Sequence, residues 1–215
     1  MIIAVLNQKG GTGKTTLAVN ITRAYTKGSE FKTLLVDSDS QGSALRWHER
    51  SQGDLIDLTC IPVNTLDKDV LKFGDRYDRI IIDGVPRISP LTISAIKAAD
   101  VILIPVQPSP YDIWATEDLV RSVKDRIEMT EGRTKAAFVV TRRIKGTKIG
   151  KEIHEQLNQM GLPVLKWGTH QRVDYATSVE RGLTVLDGEF EKSEAAREII
   201  LITAEIEGFI KYGTN

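Results

Sequence analysis

The 215-residue sequence predicts a doubly wound α/β fold, a mostly parallel sheet with helices on both faces. Three observations lead there. Short runs of sequence are apolar throughout rather than alternating, as strands covered on both faces must be. Stretches with helical spacing separate most of these runs, the order that builds parallel sheets through crossover helices. The first run feeds directly into a glycine-rich turn, and ligands of such sheets bind beyond the carboxyl ends of the strands.

The predicted strands are residues 2–6, 33–37, 58–63, 79–83, 101–106, 136–141 and 163–167. A helix over 15–27 follows the first strand, and another over 65–73 offers Leu66, Val70 and Phe73. Ile149, Ile153 and Leu157 recur at four-residue steps and predict a helix that Gly161 stops. A last helix over 193–211 carries Ile199, Ile202, Ile206 and Ile210 on one side and Glu194, Glu198, Glu205 and Glu207 on the other.

With 41% apolar residues, the chain can bury a substantial core, and its length predicts one domain spanning 1–215. Met-Ile-Ile carries no basic stretch ahead of the apolar residues, which argues against a signal peptide. No stretch approaches the roughly 20 apolar residues that span a bilayer, so a cytoplasmic protein is expected. The single cysteine, Cys60, excludes an internal disulfide and a two-cysteine metal site, and its strand predicts a buried small hydrophobe. The net charge of zero argues against constitutive nucleic-acid binding. Residues 133–181 nevertheless hold ten Lys/Arg against four Asp/Glu, and residues 182–215 three against seven. That is either a basic segment offset by an acidic tail or ordinary solvated surface.

The turn after the first strand reads NQKGGTGKTT and nearly matches the phosphate-binding pattern Gly-x-x-x-x-Gly-Lys-Ser/Thr. Gln8 replaces the first glycine, and an extra lysine, Lys9, precedes the glycine pair. Gly10, Gly11, Thr12 and Gly13 let backbone N–H groups turn toward phosphate oxygens, and the helix opening at Thr15 and Thr16 adds its positive end. Lys14 would touch the β- and γ-phosphates, and the Thr15 hydroxyl would ligate Mg²⁺. After the second strand, DSDSQG places Asp37 and Asp39 two residues apart, both able to face the loop. One carboxylate could support Mg²⁺ and the other orient a water, the alternative being an Asx turn that caps the next helix. The run IIIDG ends a buried strand on Asp83, where a nearby Mg²⁺ would compensate an otherwise costly charge. No Asn-Lys-x-Asp element is present to select guanine, so adenine is favoured.

These motifs together resemble the ParA/MinD (SIMIBI-class) ATPases, a branch of the P-loop NTPases. KGGTGKTT looks like their deviant Walker A motif, VDSDSQG like their VDxDPQG segment, and IIIDG like their Walker B strand. VILIPVQPSPYDIWA and THQRVDYATSVERGLTVLD resemble later family segments, so the likeness covers residues 1–190 in order. The resemblance implies that Lys9 reaches across an ATP-sandwich homodimer to the partner subunit's phosphates, stabilising charge that develops during hydrolysis. It also implies that Lys14 and Thr15 bind phosphate and Mg²⁺, that Asp39 positions the hydrolytic water, and that Asp37 and Asp83 lie in the Mg²⁺ shell. Thr141, Arg142 and the stretch from Pro108 to Pro110 fall where family members touch adenine. Ser40 replaces the usual proline after Asp39, and DGVP replaces the common D-x-P-P, a departure in the switch region after Asp83.

Within the family, the acidic last helix is unlike the basic lipid-binding helix of MinD, and one cysteine cannot hold the cluster of nitrogenase iron proteins. Tyr212 alone does not make the tyrosine cluster of the related kinases. The expectation is a short partition ATPase, without an N-terminal DNA-binding extension, whose weak basal hydrolysis a ParB-like or centromere-binding partner stimulates. Its ATP dimer would bind non-specific DNA of the nucleoid, with Arg142, Arg143, Lys145, Lys148, Lys151, Lys166 and Arg172 as candidate contacts. Two other readings remain open. The same cycle could position a protein cargo such as a chemoreceptor array or carboxysome, or the chain could be a metabolic ATP-dependent ligase of the superfamily.

Overall fold

The computed structural model describes residues 1–28, 31–144 and 149–212. Its centre is a six-stranded, all-parallel sheet of β1 (Ile2–Val5), β2 (Thr33–Asp37), β3 (Asp57–Cys60), β4 (Arg79–Asp83), β5 (Val101–Val106) and β6 (Lys135–Val140), in the order β3-β2-β4-β1-β5-β6. The apolar runs make this arrangement necessary, because successive residues of the central strands are buried on opposite faces. Ile2, Ala4, Leu34, Val36, Ile80, Ile82, Ile102 and Ile104 enter one core layer, whereas Ile3, Val5, Leu35, Ile81, Val101 and Leu103 enter the other.

Helices cover both layers. Against the first pack α4 (Pro90–Ala98), α6 (Glu117–Met129) and α7 (Ile149–Gln159), through Leu91, Ile96, Leu119, Val123, Ile153 and Leu157. Against the second lie α1 (Lys14–Gly28), α2 (Ser43–Arg50) and α9 (Glu194–Tyr212), through Leu17, Ile21, Trp47, Ile199, Ile202 and Ile206. The acid-faced last helix is therefore a packing helix, and Glu198, Glu205 and Glu207 point to internal partners. Glu207, for instance, accepts from the Tyr25 hydroxyl at 2.8 Å.

Three sequence expectations need correction. Cys60 is exposed, because its strand lies on the edge of the sheet and ends there instead of running on to Val63. Residues 163–167 add no seventh strand. Val164 bridges Phe138, but the Lys166 and Trp167 amides turn away and donate to the Glu205 carboxylate at 2.7 and 2.8 Å. Residues 65–73 form two short pieces, α3 (Leu66–Asp69) and a 3-10 turn (Val70–Phe73). The remaining short helices are α5 (Pro110–Trp114) and α8 (Asp174–Glu180).

The sheet order places β1 between β4 and β5, so the glycine turn leaves the sheet at its centre, beside the ends of β2 and β4. Gly84 fits the closest approach there. A Cβ on it would sit 2.4 Å from Leu6 Cδ2 and 2.9 Å from the Val5 carbonyl.

Candidate functional site

Between Leu6 and α1 the chain turns through Gly11 and Gly13, at φ +77° and +93°, backbone conformations that glycine adopts without strain. Neighbouring elements brace the turn from outside. Asn7 donates to the Pro105 carbonyl at 2.7 Å and accepts the Lys9 amide at 2.9 Å. Gln107 donates to the Gly11 carbonyl at 2.7 Å, and Thr141 to the Thr12 carbonyl at 2.8 Å. The Lys14 ammonium closes the turn from within, donating to the Lys9 carbonyl at 2.9 Å. Lys14 is buried, which lowers its pKa, while Asp83 and Asp39 pull it back up. A buried cation aimed at its own loop, with α1 starting at that residue, is suited to polyanionic phosphate.

A cleft of about 230 Å³ opens over this turn, lined by Gly10, Gly11, Gly13, Lys14, Thr15 and Thr16, and across from them by Asp39, Ser43, Gly84, Pro86 and Arg142. Beneath it, the Thr15 hydroxyl donates to Asp83 Oδ2 at 2.7 Å. The other oxygen of Asp83, Oδ1, is buried without a hydrogen-bond partner among the described residues. Burial pushes the Asp83 carboxyl up to about 7; the Thr15 and Lys14 contacts oppose that rise, and Asp37 and Asp39 add to it. An orphaned carboxylate oxygen next to a threonine hydroxyl is a donor set for a hard cation, so these residues fit Mg²⁺.

Asp37 takes the helix-capping place that was the alternative to a Mg²⁺ role. Its Oδ1 accepts the Asp39 amide and its Oδ2 the Leu45 amide, both at 3.0 Å, so it caps the first turn of α2. Asp83 rather than Asp37 therefore keeps an unused oxygen. Asp39 is half-buried on the cleft wall, its Oδ1 accepting the Gln41 amide at 2.9 Å.

The titration of Asp83 yields a prediction for the magnesium-free chain. Its carboxyl lies at about 7 when folded, against 3.8 for the unperturbed group, so between these pH values the folded chain holds the extra proton. Its contribution to stability is complete below about pH 4 and is lost as pH rises through about 7. In EDTA, unfolding free energies of the parent should fall relative to Asp83→Asn across that range, by up to about 4 kcal/mol. Parallel pH profiles for the two proteins would refute the raised carboxyl.

Lys9 lies on the outer side of the turn. Its ammonium is 2.9 Å from Asp112 Oδ2, and the lysine side chain is 42% exposed against 6% for the aspartate. Asp112, at the start of α5, was not singled out from the sequence. The signal was an acid in the PSPYD turn beyond β5, at the same carboxyl end of the strands as the loop.

A second cleft of about 420 Å³ continues from Gly13, Thr16 and Leu17 toward residues 169–180, bounded by Thr141, Arg142, His170, Arg172 and Tyr175. Thr141 and Arg142, the expected adenine neighbours, are both in its lining. Pro108 is absent from the described lining of both clefts.

Among the described residues, the candidate DNA-contacting side chains do not form one free patch. Arg142 and Lys166 are exposed, with the Lys166 ammonium over the Trp167 ring. Arg143 is spent internally, donating to the Lys166 carbonyl at 3.1 Å and contacting His154. Arg172 is likewise spent, on Glu198 at 2.6 Å. Lys145 and Lys148, and the side chain of Lys151, lie outside the described residues.

The family described as CobQ/CobB/MinD/ParA nucleotide binding domain matches residues 3–185. The maintenance of carboxysome distribution protein A of Halothiobacillus neapolitanus is 29% identical, with 95% of each chain covered. The chromosome partitioning protein ParA of Myxococcus xanthus is 32% identical over 57% of each chain. Among solved structures, apo McdA of Cyanothece superposes with a TM-score of 0.77 over 95% of this chain and 98% of that one, at 15% identity, a likeness of fold.

Proposed function

The chain belongs to the CobQ/CobB/MinD/ParA nucleotide-binding family, and on that premise we propose that it is an ATP-driven positioning ATPase of the ParA type. One observation carries the reading. A single glycine turn presents two lysines of different disposition, with the Thr15–Asp83 pair beneath them. Lys14 is buried and faces the turn, whereas Lys9 is half-exposed and turned outward, so one can serve the chain's own nucleotide and the other a partner's.

ATP would lie with its phosphates in the smaller cleft and its adenine in the larger. Backbone N–H groups of residues 10–16 and Lys14 would hold the phosphates, and Thr15 and Asp83 would hold Mg²⁺. Bound there, Mg²⁺ would neutralise charge on the β- and γ-phosphates. Asp39, on the opposite wall, would orient the attacking water. Lys9 would cross an ATP-sandwich homodimer, making nucleotide state report on association. The dimer would join the exposed cations of two subunits, Arg142 and Lys166 among them, into a surface for DNA phosphates. A partner protein carrying cargo would then stimulate hydrolysis and release.

Segregation of DNA by a ParB-like or centromere-binding partner is one version of this cycle. Positioning of a protein cargo is the other. It is favoured by the full-length likeness to carboxysome distribution proteins, where the partition ParA matches over little more than half. Among the described residues no helix is long and apolar enough to cross a membrane.

The test common to both versions is binding to random-sequence duplex DNA with ADP, ATP or a non-hydrolysable analogue at two salt concentrations. Binding is expected only in the triphosphate states, with affinity falling steeply as salt rises. Equal binding in all nucleotide states would contradict nucleotide gating. Absence of binding despite ATP-dependent dimerisation would remove DNA as the track.

A further inference from the structure

Behind the wall of the larger cleft, five hydrogen-bond donors converge on one carboxylate. Glu198 of α9 is 6% exposed. Its Oε1 accepts from Arg172 Nε at 2.7 Å, Arg172 Nη2 at 2.6 Å and His170 Nδ1 at 2.7 Å. Its Oε2 accepts from the His170 amide at 3.1 Å and the Tyr175 hydroxyl at 3.0 Å. A carboxylate only accepts, so Nδ1 of His170 carries a hydrogen and the ring is fixed in orientation. Burial pushes the Glu198 carboxyl up, but the Arg172, His170 and Tyr175 donors outweigh it and hold it below the ordinary range.

All three partners line the larger cleft, and Glu198 does not. The segment they belong to is pinned on its other side by the end of β6. The Arg143 amide donates to the Thr169 carbonyl at 2.9 Å and the Gln171 amide to the Arg143 carbonyl at 3.0 Å. Thr141, next along, ties that strand end to the glycine turn. Glu198 is thus the second anchor of a wall whose first anchor touches the phosphate loop. Docking of α9 does not need this carboxylate, because Ile199, Ile202, Ile206 and Phe209 already bury the helix. Carrying a buried charge to join five polar groups is costly unless all are satisfied, and this one is.

We propose that Glu198 is a positioning residue for the base end of the nucleotide. Through His170, Arg172 and Tyr175 it sets the cleft wall on which adenine and ribose rest, and so makes nucleotide affinity depend on the docking of α9. The inference rests on the ATP reading above, and the phosphate end of the site is independent of it.

Calorimetric titration of the full chain with Mg-ATP, Mg-ADP and Mg-tripolyphosphate separates the two ends. Glu198→Gln keeps the shape but offers an N–H₂ group where donors already converge. It should weaken ATP and ADP about tenfold, the worth of one charged hydrogen bond, while tripolyphosphate stays within about twofold. Tyr175→Phe removes one donor with little risk to the fold and should weaken ATP about threefold, again sparing tripolyphosphate. Parallel losses for all three ligands would make Glu198 a packing residue and overturn the proposal. So would unchanged ATP affinity in Glu198→Gln or, should that variant fail to fold, in Tyr175→Phe. Failure of the unaltered chain to bind ATP would instead remove the ATP reading, and this inference with it.

Discussion

Asp39→Ala should slow ATP turnover by about two orders of magnitude or more, the usual worth of a group that orients or deprotonates the attacking water, and leave ATP binding within a few-fold. The asymmetry follows from where the groups sit. In the proposed site, phosphate would be held by the glycine turn, the buried Lys14 and the start of α1, and none of these depends on Asp39 for a hydrogen bond. Asp39 sits across the cleft and is itself an anion, so its removal takes away repulsion toward the γ-phosphate rather than attraction. Its Oδ1 accepts the Gln41 amide of its own turn, a contact whose loss is local. A trapped ATP state should result, so triphosphate-dependent DNA binding persists and release fails. Calorimetric ATP affinity and single-turnover hydrolysis decide the matter. Loss of ATP binding, or turnover near the parent rate, would take the water-orienting role from Asp39.

How much of this was legible in the sequence follows from which interactions are local. The strands were readable because burial on both faces leaves no polar positions in runs such as Ile80 to Ile82. The glycine turn was readable because its geometry demands glycine at fixed places. Cys60 was misread because edge and central strands share a composition, and only the strand order, a long-range property, separates them. Residues 163–167 were misread because Glu205, 39 and 38 residues beyond Lys166 and Trp167 in sequence, captures amides that would otherwise extend the sheet. The same limit applies to Arg143 and Arg172. Each looked available for a phosphate, and each is occupied by a partner that spacing alone does not reveal. Charges near each other in sequence were a poor guide to a shared surface, since two of the basic candidates are turned inward.

Lys9→Ala should separate nucleotide binding from association. Intrinsic ATP affinity should change little, because Lys14 and the loop amides remain, whereas ATP-dependent dimerisation should be lost. In a two-fold dimer the Lys9 contact occurs twice, once from each subunit, and a charge-assisted contact is worth about 1.5–3 kcal/mol, so the pair accounts for about 3–6 kcal/mol, or two to four decades in dimer Kd. The structure adds an opposing contribution. In the single chain Lys9 rests on Asp112, whose Oδ1 has no partner among the described residues and whose side chain is 6% exposed. Drawing the ammonium away strands a buried carboxylate, which is costly, so association must overcome that contact before it gains the partner's phosphates. Asp112→Asn should therefore move the dimer equilibrium in the opposite direction to Lys9→Ala, toward association at lower ATP concentration. Sedimentation of both variants with ATP and with ADP reads the two effects separately. A Lys9→Ala protein that still dimerises with ATP would sink the cross-subunit role, while an Asp112→Asn protein that dimerises no more readily would show that the internal contact sets no threshold.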